Sequence, residues 1–105
     1  MDIAVGYIHE MYSGLSTDTE EAAIEARARA ARLDLAETVI LPRDYYLPFL
    51  RLYQVLHRTG AKVVIVPTAE HVWVGRRGLT ERARVEIVAP PATWEIGARW
   101  TVGAR

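Results

Sequence analysis

The sequence contains no cysteine, which excludes a disulfide framework, a thiolate metal site and a cysteine nucleophile. It has no apolar run near the ~20 residues that cross a bilayer as a helix. It also has no net charge, which removes the usual electrostatic case for nonspecific nucleic-acid binding. The opening segment MDIAVGYIHEMYSG is not expected to act as a secretory signal. Asp2 stands where a basic residue belongs, and His9 and Glu10 break a short apolar stretch. The expectation is a cytoplasmic protein without membrane contact and without a cofactor.

What is present suits one soluble domain. Half of the 105 residues are hydrophobic and 25% are charged, enough for a single core. Twelve of the thirteen basic residues are arginine, Lys62 being the exception. Together with abundant alanine, this points to a high-GC genome, such as an actinobacterium's, rather than to a function. The charge is unevenly spread. Residues 1–25 carry Asp2, Glu10, Asp18, Glu20, Glu21 and Glu25 with no base, whereas residues 76–105 carry six arginines against three glutamates. Such polarity can steer one copy toward another, or toward a charged partner.

Ile3 to Ile8 is a near-continuous apolar run, the pattern of a strand covered on both faces. Thr17 and Glu20 form a capping box, so a helix is expected from Thr17 to about Leu33, burying Ala23, Ala26, Ala30 and Leu33. A second strand is expected over Glu37–Leu41. A second helix follows, capped by Asp44, with Phe49, Leu52, Tyr53 and Leu56 at helical spacing and a stop at Gly60. His57 lies near its carboxyl end, where it suits the helix dipole as a surface residue. Val63–Val66 is the third strand. A loop over 68–78 holds one helical turn near Glu70–Trp73, another turn falls at Leu79–Ala83, and Val85–Val88 is the fourth strand. Alternating strands and helices with short links imply right-handed crossovers. The expected fold class is α/β, a three-layer α/β/α sandwich around a mainly parallel four-stranded sheet. Residues 1–91 form the domain, and residues 92–105 form a tail that adds an edge strand or an interface segment through Trp94 and Trp100.

Val5-Gly6-Tyr7-Ile8, and the helix running through Gly60 into Val63-Val64-Ile65-Val66, resemble the catalytic domain of serine recombinases, the resolvases and invertases. The resemblance covers roughly residues 3–90. It implies a resolvase-like fold in which a serine after the first strand attacks a DNA phosphate, assisted by arginines. The chain departs from that pattern where the chemistry resides. Counted without gaps from Tyr7, the family's first arginine falls on His9 and its nucleophile on Met11. With a six-residue insertion, Ser16 takes the serine's place and Gly14 the arginine's. The later Asp-Arg pair becomes Glu70-His71, and a final arginine becomes Val74. Losing one preorganised donor costs about 10²–10³ in rate, and losing three costs on the order of 10⁶. The expectation is a degenerate member with no catalytic residues, no strand exchange, and neither the long dimerisation helix nor the separate DNA-binding domain typical of the family.

Ligands of open parallel sheets bind beyond the carboxyl ends of the strands. There the chain offers a candidate crevice of His9, Glu10, Ser13, Ser16, Arg43, Asp44, Glu70 and His71. His9 and His71 with a carboxylate have the donor types of a zinc site, yet no local ligand pair at helical spacing supports one, so no metal is assigned. Ser13 or Ser16 activated by either histidine is a hydrolytic alternative. Tyr45, Tyr46, Trp73, Trp94 and Trp100 are of the types that anchor protein interfaces. Arg76 and Arg77, between Gly75 and Gly78, can contact an anion, and with Arg82 and Arg84 they make the nucleic-acid alternative. The leading expectation is a non-catalytic recombinase-like domain, homo-oligomeric or bound to a protein partner and regulatory or accessory in role. The alternative is a small enzyme or ligand- or metal-binding protein using the His/Glu cluster.

Overall fold

The computed structural model describes residues 1–100. Ten short elements follow one another: strand β1 (Ile3–His9), a 3-10 turn (Glu10–Tyr12), helix α1 (Thr17–Ala30) and strand β2 (Asp34–Leu41) come first. Helix α2 (Pro48–Thr59), strand β3 (Val63–Val66), a second 3-10 turn (Ala69–Val72), helix α3 (Arg76–Thr80), β4 (Arg84–Ile87) and β5 (Ala92–Trp94) complete the chain. The sheet has five strands in the order β2-β1-β3-β4-β5. The first four are parallel and β5 is antiparallel to β4. The expected four-stranded sheet is therefore one strand short. The fifth strand lies in the tail: β4 ends at Ile87, and Ala92–Trp94 pair back onto it as an edge strand, one of the two arrangements expected for residues 92–105.

Central strand β1 is buried from Ala4 to His9, as its unbroken apolar run requires. One face packs Ala4, Ile8, Val63 and Ile65 against Ile24 and Ala28 of α1. The other packs Val5, Tyr7, Val64, Val66, Val85 and Ile87 against Leu52, Val55 and Leu56 of α2 and Leu79 of α3. Helices on opposite faces give the three layers. Gly6 marks where α1 comes closest to the sheet: a Cβ there would lie 2.8 Å from Ile24 Cγ2 and 2.6 Å from Thr38 Oγ1. The β1-to-β2 connection runs one way along the sheet and β2-to-β3 the other, so the order reverses between β1 and β3. That reversal opens a crevice beyond their carboxyl ends.

Four local expectations are corrected. Helix α1 is capped by Ser16, whose Oγ accepts the Thr19 N–H at 3.2 Å, so Thr17 is already inside the helix. It ends at Ala30 rather than Leu33, closed by a Schellman pair in which Leu33 N–H bonds Ala28 O and Arg32 N–H bonds Arg29 O. Arg32 takes the left-handed conformation (φ 57°) usually given to glycine. The buried face is Glu20, Ile24 and Ala28, while Ala26 and Ala30 face solvent and Ala23 is half-buried. Finally, α2 is not capped by Asp44. Its N-cap is Leu47 at φ 56°, with Pro48 as the first helical residue, where the missing N–H has no intrahelical partner to lose.

Candidate functional site

His9 ends β1, and His71 lies in the 3-10 turn that follows β3, so the two histidines flank the reversal point. They meet there. The His9 backbone N–H donates to His71 Nδ1 at 3.0 Å. An imidazole nitrogen that accepts carries no proton, so neutral His71 holds its hydrogen on Nε2. That Nε2 is buried and has no hydrogen-bond partner among the described residues. Burial lowers the pKa of His71, opposed by Glu20, reinforced by His9 and opposed by Glu70. The ring is therefore uncharged at neutral pH. His9 Nε2 lies 3.3 Å from Arg43 O, and because a carbonyl only accepts, this nitrogen donates.

Tyr12 sits edge-on to both imidazoles, its ring centroid 5.4 Å from His9 and 6.0 Å from His71. These three with Pro48, Phe49, Glu70 and Val74 line a cavity of about 220 Å³. Phe49 also stacks against Tyr7 at 6.1 Å. Its ring fills the space that a side chain at position 75 would need: a Cβ there would lie 2.6 Å from Phe49 Cε1, which accounts for Gly75. Burial, with a smaller push from Tyr12, raises the Tyr7 hydroxyl far above its ordinary pKa.

Other polar atoms at this end are orphaned. Ser13 Oγ, Glu20 Oε1, Thr68 Oγ1 and Tyr7 Oη are buried without hydrogen-bond partners among the described residues. Glu20, with 3% of its surface exposed, does not stand out in the sequence because a glutamate in the first turn of a helix is ordinary. Of the other expected crevice residues, Glu10, Ser16, Arg43, Asp44 and Glu70 are exposed. Ser16 Oγ is engaged with Thr19. Neither serine hydrogen-bonds a histidine, and His71 presents no basic lone pair from Nε2. Among the described residues no group of three His, Asp or Glu side chains is placed to hold a metal ion.

The expected interface residues separate. Tyr45 and Tyr46 lie beyond β2 at one edge of the sheet, while Trp94 lies in β5 at the other. Trp73, Trp94 and Trp100 pack together, tilted or edge-to-face, with centroids 5.0–6.0 Å apart. Arg76, one of the two residues of the expected anion contact, lies 3.8 Å over the Trp73 ring and 5.0 Å over Trp100. Trp100 Nε1–H donates to Thr80 Oγ1 at 3.1 Å. Arg82 stacks over Tyr53 at 4.7 Å, and burial raises the Tyr53 pKa against the pull of Arg82 and with a push from Glu81. Arg84 lies 3.0 Å from Glu86 Oε2. Three of the four arginines of the nucleic-acid alternative thus have internal partners, and Arg77 is exposed at the start of α3. Glu86 is the residue that sequence reasoning misses. Its buried carboxylate also accepts from Arg27 Nη2 at 2.7 Å, Arg27 Nε at 3.2 Å and Thr93 Oγ1 at 3.1 Å.

The fold is that of a resolvase-like recombinase catalytic domain. The crystal structure of the N-terminal catalytic domain of TP901-1 integrase matches this chain with a TM-score of 0.67, covering 88% of this chain and 82% of that one at 12% identity. At that identity the likeness establishes the fold alone. No protein-family profile matches the sequence, and no curated protein does.

Proposed function

We propose that this chain is a non-catalytic domain on the recombinase scaffold, working through contacts with protein. The observation that carries it is the state of the two histidines at the strand ends. A phosphoryl-transfer site needs fixed positive charge around the reacting phosphate. Here His71 is neutral, its Nδ1 is taken by the His9 backbone, and the carboxylates of Glu20 and Glu70 are among the charges it feels. Arg43 meets His9 through its backbone carbonyl, with the residue exposed to solvent rather than buried beside the histidines, and Arg76 lies over a tryptophan ring. The test is incubation with supercoiled plasmid carrying random inserts, followed by denaturing electrophoresis. The expected result is no nicking and no covalent protein–DNA adduct. An adduct that disappears in Ser13→Ala or Ser16→Ala overturns the proposal.

The second reading, a small-ligand or metal site in the crevice, draws on the cavity beside the unpartnered His71 Nε2. Metal analysis and ligand screening of wild type against the His9→Ala/His71→Ala double variant separate it from the first. Ligand or metal retained by wild type and lost by the variant favours it.

A further inference from the structure

The exposed large hydrophobic side chains are not scattered. All of those described except Met1, Trp73 and Ile96 lie at or beyond the carboxyl ends of the strands. Monomeric proteins rarely gather exposed apolar side chains in one patch without a partner for it. The topology divides this patch into two halves. The β1-to-α1 connection leads to the α1 face and carries Glu10, Met11 and Leu15, followed by Asp18 in the first turn of α1, with Leu15 65% exposed. The β2-to-α2 connection leads to the opposite face and carries Arg43, Tyr46 and Leu47, followed by Leu50 and Arg51 in the first turn of α2, with Tyr46 83% exposed. The first half has acids and no base; the second has two arginines against Asp44.

From this distribution we infer that the carboxyl end is a self-association face, on which a second copy docks end to end. The inference rests on the protein-contact reading above and names its partner. In an isologous dimer joined end to end, the two-fold axis lies in the contact plane. An axis running across the strands, parallel to the sheet, places the α1 half of each copy on the α2 half of the other. Met11 and Leu15 then cover Tyr46, Leu47 and Leu50, and Glu10 and Asp18 approach Arg43 and Arg51. An axis perpendicular to the sheet would set acid on acid, so the charges select the first arrangement. Leu47 adds an independent observation. It is half exposed in the patch, at a positive φ that costs a leucine backbone energy. A leucine kept at such a position is accounted for by a surface that needs its side chain.

Sedimentation velocity across micromolar concentrations tests this with a charge swap. Wild type is expected to dimerise. Glu10→Arg and Arg43→Glu, both at exposed side chains, are each expected to weaken self-association by about tenfold or more. Their equimolar mixture should recover the wild-type affinity, because every close pair in the mixed dimer is then oppositely charged. Tyr46→Ser, at the most exposed residue of the patch, serves as a charge-neutral second variant and should also weaken the dimer. A wild-type monomer at all concentrations overturns the inference, whatever other protein the face serves. So does a dimer indifferent to these variants, or a mixture no tighter than its components. A monomer that forms no DNA adduct sinks this face and leaves the non-catalytic reading standing; a dimer that forms one does the reverse.

Discussion

The carboxyl ends of the strands and the β4–β5 edge both gather aromatic and charged side chains, and they treat them in opposite ways. At the β4–β5 edge, the Glu86 carboxylate is shared by Arg27, Arg84 and Thr93, and three tryptophans pack together, two of them against Arg76. The Trp100 indole has its hydroxyl acceptor. Arg76 Nε and Arg84 Nε at this edge make no hydrogen bond among the described residues, but one guanidinium lies over a tryptophan ring and the other beside a carboxylate. At the carboxyl ends, Ser13, Glu20, Thr68 and His71 each hold a buried polar atom without a hydrogen-bond partner among the described residues, beneath a rim of exposed apolar side chains. A buried polar group without a partner is a stability cost. A region that retains several is organised for something other than the stability of the isolated chain. The edge is where this protein is built, and on the reading proposed above the carboxyl end is where it acts.

The comparison is broken most easily at the edge. Glu86→Ala strands Arg27 and Arg84, and urea unfolding should register a loss of about 2–3 kcal/mol. This is below the range for a fully buried pair because the two arginine side chains are 26% and 29% exposed. A loss under about 0.5 kcal/mol would show that the edge is not the structural half. Trp100→Ala removes two ring contacts and the bond to Thr80, and about 1–2 kcal/mol should go with them. Thermal melts of the variant would reveal a smaller role by an unchanged midpoint.

The two serines sharpen the contrast within the carboxyl end. Ser16→Ala removes the α1 cap and should cost about 1 kcal/mol. Ser13→Ala removes an orphaned hydroxyl and should cost nothing or stabilise slightly, by at most about 1 kcal/mol. Equal losses at both positions would mean that Ser13 has a partner after all. The smallest effect is that of pH. Because His71 has a lowered pKa in the folded state, the unfolded chain binds its proton more readily. Stability from this group is complete above the unfolded value of about 6.5 and falls as pH drops through the folded value. Urea unfolding of wild type and His71→Asn between pH 7.5 and 5 should show the steeper decline in wild type. Parallel curves would contradict the burial of His71 as a neutral ring.

Parts of this are legible in the sequence for physical reasons. Val63–Val66 reads as a strand because a run of four β-branched residues before proline has few other uses. The rule that parallel sheets bind at strand ends places His9 and His71 on one edge, although 62 residues separate them. The face of α1 is misleading because alanines occur all round that helix. Its true stripe, Glu20-Ile24-Ala28, begins with a charged residue that periodicity discounts. Glu86 stays hidden because its principal partner, Arg27, is 59 residues away. Trp94 and Trp100 are recognisably too large for a loose tail, but nothing in their spacing shows that they pack on Trp73 and Arg76 of the same chain.

Hydrogen exchange of the backbone amides at low and high protein concentration tests the division most directly. Raising the concentration is predicted to protect residues 10–16 and 43–50 while leaving residues 92–100 unchanged. Protection confined to residues 92–100, or none anywhere, would contradict it.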